Sequence, residues 1–254
     1  MDLLAGDINQ LIGEIDWLIW SVAALSLLIG CWVQTALGFG MAVIAAPIIV
    51  LFKPEWVPVV LTMTALILSL LNTWDQREHL ETQHLSASFL SRIPGTFLGA
   101  WLLMQLDTVW LQFSVAACVL LAVAISYLGK QFPYTPKRLA FASFVSGITG
   151  TTTSIGGPPM ALVMQHGEPQ AIRANLSLYF SYSCIVSLIA YGYMGLLTSS
   201  ILITCVSFIP ICLLGFVGGI KARAYVDGGR FRPLLLILCG ISGSIALVGA
   251  LSQL

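Results

Sequence analysis

The sequence predicts an all-α integral membrane protein built as two inverted-topology repeats of about five helical segments each. The first two segments of each repeat form a broken or re-entrant hairpin. Three observations lead there. Of 254 residues, 58% are hydrophobic and 9% charged, against roughly 25% charged in soluble domains, and the apolar residues run in long blocks. The blocks resemble one another at an offset near 116 residues, where Gly30, Gly40, Pro94 and Gly99 have counterparts Gly147, Gly157, Pro210 and Gly215, and IPGTFLG matches IPICLLG. Lysines and arginines gather in short loops on one face, the cytoplasmic one, so that corresponding loops of the two halves fall on opposite faces.

Residues 1–16 are acidic and read as an extracytoplasmic N-terminal segment. The next block, Trp17–Gln34, has neither a basic leader nor a small-residue cleavage site, so it is expected to stay in the mature chain. A hydrocarbon core about 30 Å thick takes roughly 20 apolar residues per helix. Trp17–Gln34, Trp56–Trp74, Leu85–Leu106, Thr108–Leu128, Leu176–Leu197, Thr198–Ile220 and Pro233–Gln253 are long enough to serve. Gly40–Phe52 and Pro158–Gln165 are too short to span, and Arg138–Gly150 is short and runs into a stretch of glycines and prolines. Irregular backbone at membrane depth needs protein or a water-filled cavity to satisfy it, so these pieces predict hairpins. Residues 17–128 form the first repeat, 129–137 a cytoplasmic linker and 138–254 the second repeat.

Orientation follows from the basic residues, which favour short cytoplasmic loops. Lys130, Lys137 and Arg138 mark one such loop; Lys221, Arg223, Arg230 and Arg232 mark another. An even number of crossings must separate them, which a hairpin over 138–165 supplies and a single broken spanning helix does not. Counting back puts Arg77, Arg92 and Arg173 on the cytoplasmic side, leaves Lys53 outside and directs both termini outward. Inverted repeats whose broken segments meet near the midplane mark secondary transporters. The few charges lie between apolar blocks with no long basic tract, so nucleic acid is excluded as a partner; membrane lipid is implied.

Two motifs carry the chemistry. QTALGFGMAVIAAP covers Gln34–Pro47, and GTTTSIGGPPMALVM covers Gly150–Met164, whose hydroxyls, glycines and prolines are expected to break any helix. Each places hydroxyl or amide side chains ahead of glycines that open a short apolar helix. Glycines let a backbone approach a ligand closely, Pro158 and Pro159 suit a first helical turn, and exposed N–H groups at a helix start attract anions. Two such ends facing each other would supply positive potential without a deep Lys or Arg, which costs about 2.5–3.5 kcal/mol at the bilayer centre. Gln34, Thr35, Thr151, Thr152, Thr153 and Ser154 are the candidate donors, and Gly38, Gly40, Gly156, Gly157 and Pro158 make the space. Helix–helix packing is the competing account of the glycines.

Other polar residues fall into secondary roles. Arg92, two turns inside its helix, is expected to snorkel to the interface, with an anion-attracting vestibule as the alternative. Arg173 and Asn175 open the helix after the second hairpin and either guide substrate or mark the interface. His166 is a solvated residue or a proton-coupling group, while His79 and His84 sit in a solvated loop and Asn72 caps or packs. The six cysteines, Cys31, Cys118, Cys184, Cys205, Cys212 and Cys239, are scattered singly and read as small core residues, so no metal and no cofactor is expected.

These motifs, with GEPQAIRANLSLYF after the second, resemble the TauE/SafE family of sulfite exporters, also called anion permeases, over almost the whole chain. The second half looks like the branch with GGPP followed by an Arg at the next helix start, here Arg173. The resemblance implies an inner-membrane permease for small sulfur-containing anions such as sulfite, thiosulfate or organosulfonates, with proton coupling an open question. LGFGMAV departs from the family's more glycine-rich first motif at Met41, which implies either a larger, more apolar anion or a packing change. Rival classes are an intramembrane enzyme, for which Ser154 is the one candidate nucleophile but no HExxH or GxSxG motif exists, and a non-transporting scaffold.

Overall fold

The computed structural model describes residues 17–82, 85–128, 135–164, 168–226 and 232–252. The expectations for residues 1–16, for 129–134 of the linker and for His84, His166 and Arg230 lie outside them. Among the described residues the chain is all-helical, with no strand. In order the helices are α1 (Trp17–Leu37), α2 (Met41–Phe52), α3 (Trp56–Asp75), α4 (Leu85–Gln105), α5 (Thr108–Leu128), α6 (Pro136–Thr153), α7 (Gly157–Val163), α8 (Pro169–Tyr193), α9 (Ser199–Ser207), α10 (Ile209–Val226) and α11 (Arg232–Leu251); a 3₁₀ turn, Arg77–His79, follows α3. Among the described residues, four stretches are both long and apolar enough to cross a bilayer: Trp17–Leu37, Trp56–Asp75, Pro169–Tyr193 and Ser199–Ala224.

Local chemistry sets the boundaries. Thr135 caps α6 by accepting from the Arg138 N–H at 3.4 Å, with Pro136 at the first helical position. Thr198 caps α9 in the same way through Ile201. Helix α8 opens at Pro169, several residues before the expected Leu176, because a proline in GEPQ suits a first turn. This places Arg173 and Asn175 inside the helix. The expected span Thr198–Ile220 is interrupted at Phe208, next to Pro210, which has no N–H to give to a preceding turn. Likewise Pro54 cannot donate to the Val50 carbonyl four residues earlier, and the buried Gln112 of α5 does so instead at 3.3 Å.

The packing exchanges the two halves. Helix α4 lies along α6 and α10 along α1, so the fourth segment of each half covers the first segment of the other; α3 packs on α8 and α5 on α11. The first two of these pairings run backbone to backbone. A Cβ on Gly99 would come within 2.7 Å of the Ile148 carbonyl oxygen, and one on Gly219 within 2.7 Å of that of Trp32. Gly95 and Gly99 on α4, and Gly215 and Gly219 on α10, thus form two small-xxx-small faces of the kind that let membrane helices approach closely.

Candidate functional site

The helices of the two motifs are interrupted at corresponding points. Helices α1 and α6 end at Leu37 and Thr153, and α2 and α7 begin at Met41 and Gly157, both pairs 116 residues apart. Each first helix ends in left-handed backbone, at Gly38 with φ of 92° and at Ser154 with φ of 62°. Gly40 also has a positive φ, 120°. Glycine takes this region freely. Ser154 takes it because its hydroxyl is held: it lies 2.7 Å from the Val57 carbonyl, 3.3 Å from that of Pro58 and 3.2 Å from Thr62 Oγ1. The helix does not break at Gly150. Residues Gly150–Thr153 continue α6, and the interruption covers Ser154–Gly156 only, because Thr152 and Thr153 donate back to the Ile148 and Thr149 carbonyls at 2.8 Å without leaving helical geometry.

The tips meet. Phe39 of the first break lies against Gly157 of the second, 3.3 Å from the point where a Gly157 Cβ would sit. Between them is a small cleft. Gln34, Gly40, Ser154, Gly156, Gly157 and Arg92 line it, so it gathers residues from both motifs. Thr62 of α3 and Ser183 and Ser187 of α8 complete its polar wall, while Phe39, Met41, Val43, Ile155 and Phe180 make it apolar elsewhere. Sequence reasoning missed Thr62, Ser183 and Ser187. The four-residue spacing of the two serines, which puts them on one face of an apolar helix, was the available signal.

Arg92 does not snorkel. It is 1% exposed, and its guanidinium crosses from α4 to lie 3.0 Å from where a Gly150 side chain would begin. Nη1 donates to the Ser146 carbonyl and to Ser146 Oγ at 3.2 Å, and Nη2 donates to Ser187 Oγ at 2.9 Å. Ser146 Oγ in turn donates to the Gly156 carbonyl at 2.6 Å, and Ser187 bonds Thr151 at 3.0 Å. Among the described residues Nε has no hydrogen-bond partner, and the ion pairs found join Lys53 to Glu55 and Arg223 to Asp75, not Arg92 to an acid. A buried cation held by neutral groups alone leaves positive charge to be met by something else.

The remaining predicted residues serve the frame around the cleft. Gln34 accepts from the Met41 N–H at 3.3 Å, which closes the first break over the start of α2, and donates to Ser69 at 3.3 Å. The C-terminal carbonyls of α1 meet two guanidiniums: Arg223 Nε donates to Thr35 O at 3.2 Å and Arg173 Nη1 to Ala36 O at 3.4 Å. Cations suit a helix C-terminus. Arg223 also pairs with Asp75 at 2.6 Å and bonds Asn72, which itself donates to Thr35 Oγ1 at 3.2 Å. Arg173 is buried against Gly38 and Gln76, and Asn175 accepts from the Glu81 N–H at 2.9 Å. Neither lines the cleft, nor do Thr35, Gly38, Thr151, Thr152, Thr153 and Pro158. Met41 lines it and is fully buried, its Cγ 3.1 Å from a Cβ position on Gly30. Among the described residues Cys31, Cys118, Cys184, Cys205 and Cys212 are free thiols, and no cluster of metal-ligating side chains occurs.

Comparison with known proteins adds one assignment. The model of a family described as Sulfite exporter TauE/SafE matches residues 22–245. No curated protein and no solved structure gave a match.

Proposed function

Because the chain belongs to the sulfite exporter TauE/SafE family, and its two helix breaks line one cleft beside a buried guanidinium, we propose that it is a secondary transporter that carries small sulfur-containing anions such as sulfite, thiosulfate or organosulfonates through that cleft. The observation that carries the reading is the convergence of Gly40, Ser154, Gly156, Gly157 and Arg92, from three separate helical segments, on one space. Glycines at both tips leave the backbone accessible, and Arg92 supplies the attraction that helix ends give only weakly when one of them, α7, has two turns.

The architecture proposed with it is a pair of inverted repeats, 17–128 and 138–254, in the inner membrane with both termini extracytoplasmic. It is supported by the matching positions of the breaks, by the way α4 and α10 each cover the first helix of the other half, and by the contacts of Arg223 with Asp75, Arg173 with Gln76 and the Glu81 N–H with Asn175. Transport would come from one half rocking against the other around the cleft. Proteoliposome flux tests the reading with sulfite, thiosulfate, sulfate, a short sulfonate and a carboxylate, each with and without a pH gradient, which also decides proton coupling. Gly157→Leu, placed where a Cβ meets Phe39 at 3.3 Å and Phe180 at 3.7 Å, is expected to abolish flux while the protein still reaches the membrane. Unchanged flux in that variant moves the site elsewhere.

A further inference from the structure

We infer that Arg92 is the substrate's charge partner and that it makes the cleft selective for monovalent over divalent anions. The inference rests on the cleft being the anion site. Among the described residues that line it, Arg92 is the one with a fixed charge; the others are neutral amide, hydroxyl, thiol, glycine or apolar groups. The nearest alternatives, Arg173 and Arg223, are engaged with Gln76, Asn72, Asp75 and the end of α1, outside the lining.

The charge sum then decides valence. A single negative charge at the guanidinium leaves the cleft neutral. A second one has no cation to meet and must be desolvated among Phe39, Met41, Val43, Ile155 and Phe180. In a low-dielectric site an unmatched charge is severely disfavoured. Arg92 also has capacity left: its Nη atoms are positioned by Ser146 and Ser187, whereas the buried Nε has no partner among the described residues. Planar guanidinium geometry suits two oxygens of one oxyanion. The apolar wall would take an alkyl substituent but would gain nothing from a fourth charged oxygen or a terminal sulfide. Within the sulfur anions this favours sulfonates and hydrogen sulfite over sulfate and thiosulfate.

Binding of methanesulfonate and of sulfate to the purified full-length protein, at one pH and one ionic strength, tests this without a mutation. Methanesulfonate is expected to bind at least roughly tenfold tighter. Arg92→Lys should keep the preference at reduced affinity, and Arg92→Gln should lose methanesulfonate binding by at least roughly tenfold. Equal or tighter sulfate binding by the wild type overturns the inference, as does an Arg92→Gln protein with unchanged affinity and preference. Gly157→Leu separates the two levels. If it removes binding of both anions while sulfate is the preferred one in the wild type, the cleft stands and only the valence assignment falls; if it alters neither anion's binding, the cleft reading and this inference fall together.

Discussion

At the scale of single residues, the site is governed by two that sit where simple rules say they should not. Arg92 is a buried cation with no ion pair to an acid among the described residues, and Ser154 is a non-glycine residue in left-handed backbone. Ser154 persists there because Val57, Pro58 and Thr62 hold its hydroxyl. Ser154→Ala keeps the strained backbone and loses those contacts, so it should destabilise the protein by about 1–3 kcal/mol, whereas Ser154→Gly, which relieves the strain, should cost less. Thermal unfolding in detergent would show the order, and an alanine variant as stable as the glycine one would refute this account. Gly150 matters through its neighbour. Its Cβ would stand 3.0 Å from Arg92 Nη1, 3.1 Å from Nη2 and 3.2 Å from the Gly156 Cα, so Gly150→Ala should displace the guanidinium from Ser146 and Ser187, weaken anion binding severalfold and lower stability as well. An unchanged affinity would mean that the guanidinium's position is not important.

Among the elements, the closest approaches lie between α4 and α6 and between α10 and α1. They depend on glycine. A Cβ on Gly215 would fall 2.5 Å from that of Cys31, and one on Gly99 would meet the Ile148 carbonyl oxygen at 2.7 Å. Leucine at either position must part the helices, at a cost of about 1–3 kcal/mol or more; for α4 this also moves Arg92, so Gly99→Leu should lose transport along with stability, measured by flux and unfolding on the same preparation. The threonine run behaves oppositely. Thr152 and Thr153 spend their hydroxyls on carbonyls of their own helix, so Thr152→Val, which keeps shape and removes a bond within α6, should leave flux near wild type and change stability by about 1 kcal/mol or less. Loss of flux with intact folding would return that hydroxyl to the substrate path.

For the molecule as a whole, the proposed rocking of one half against the other would change the relation of the two tips, which touch across the cleft where Phe39 meets Gly157. The Phe39 Cβ and a Gly157 Cβ position are 3.3 Å apart, close to the separation across a disulfide. In a background free of other cysteines, the Phe39→Cys/Gly157→Cys pair should cross-link on oxidation and halt flux, and reductant should restore it. Flux that continues at full rate through the cross-linked protein would exclude movement between the tips as the transport step.

The sequence by itself determined the class of molecule: long apolar blocks require lipid, and an interruption within each motif was legible because glycine and proline impose local backbone geometry, although the second falls at Ser154 rather than at Gly150. It also located Gln34, Gly40, Ser154, Gly156 and Gly157, which line the cleft together. Only the tertiary structure decided where the charge is. Arg92 has the spacing of an interfacial arginine, and nothing within reach along the chain reveals that α6 passes close enough, over Gly147 and Gly150, for the guanidinium to turn inward onto Ser146 and Ser187. Burial of a long flexible side chain depends on what packs beside it, and those neighbours lie 54 and 95 residues away.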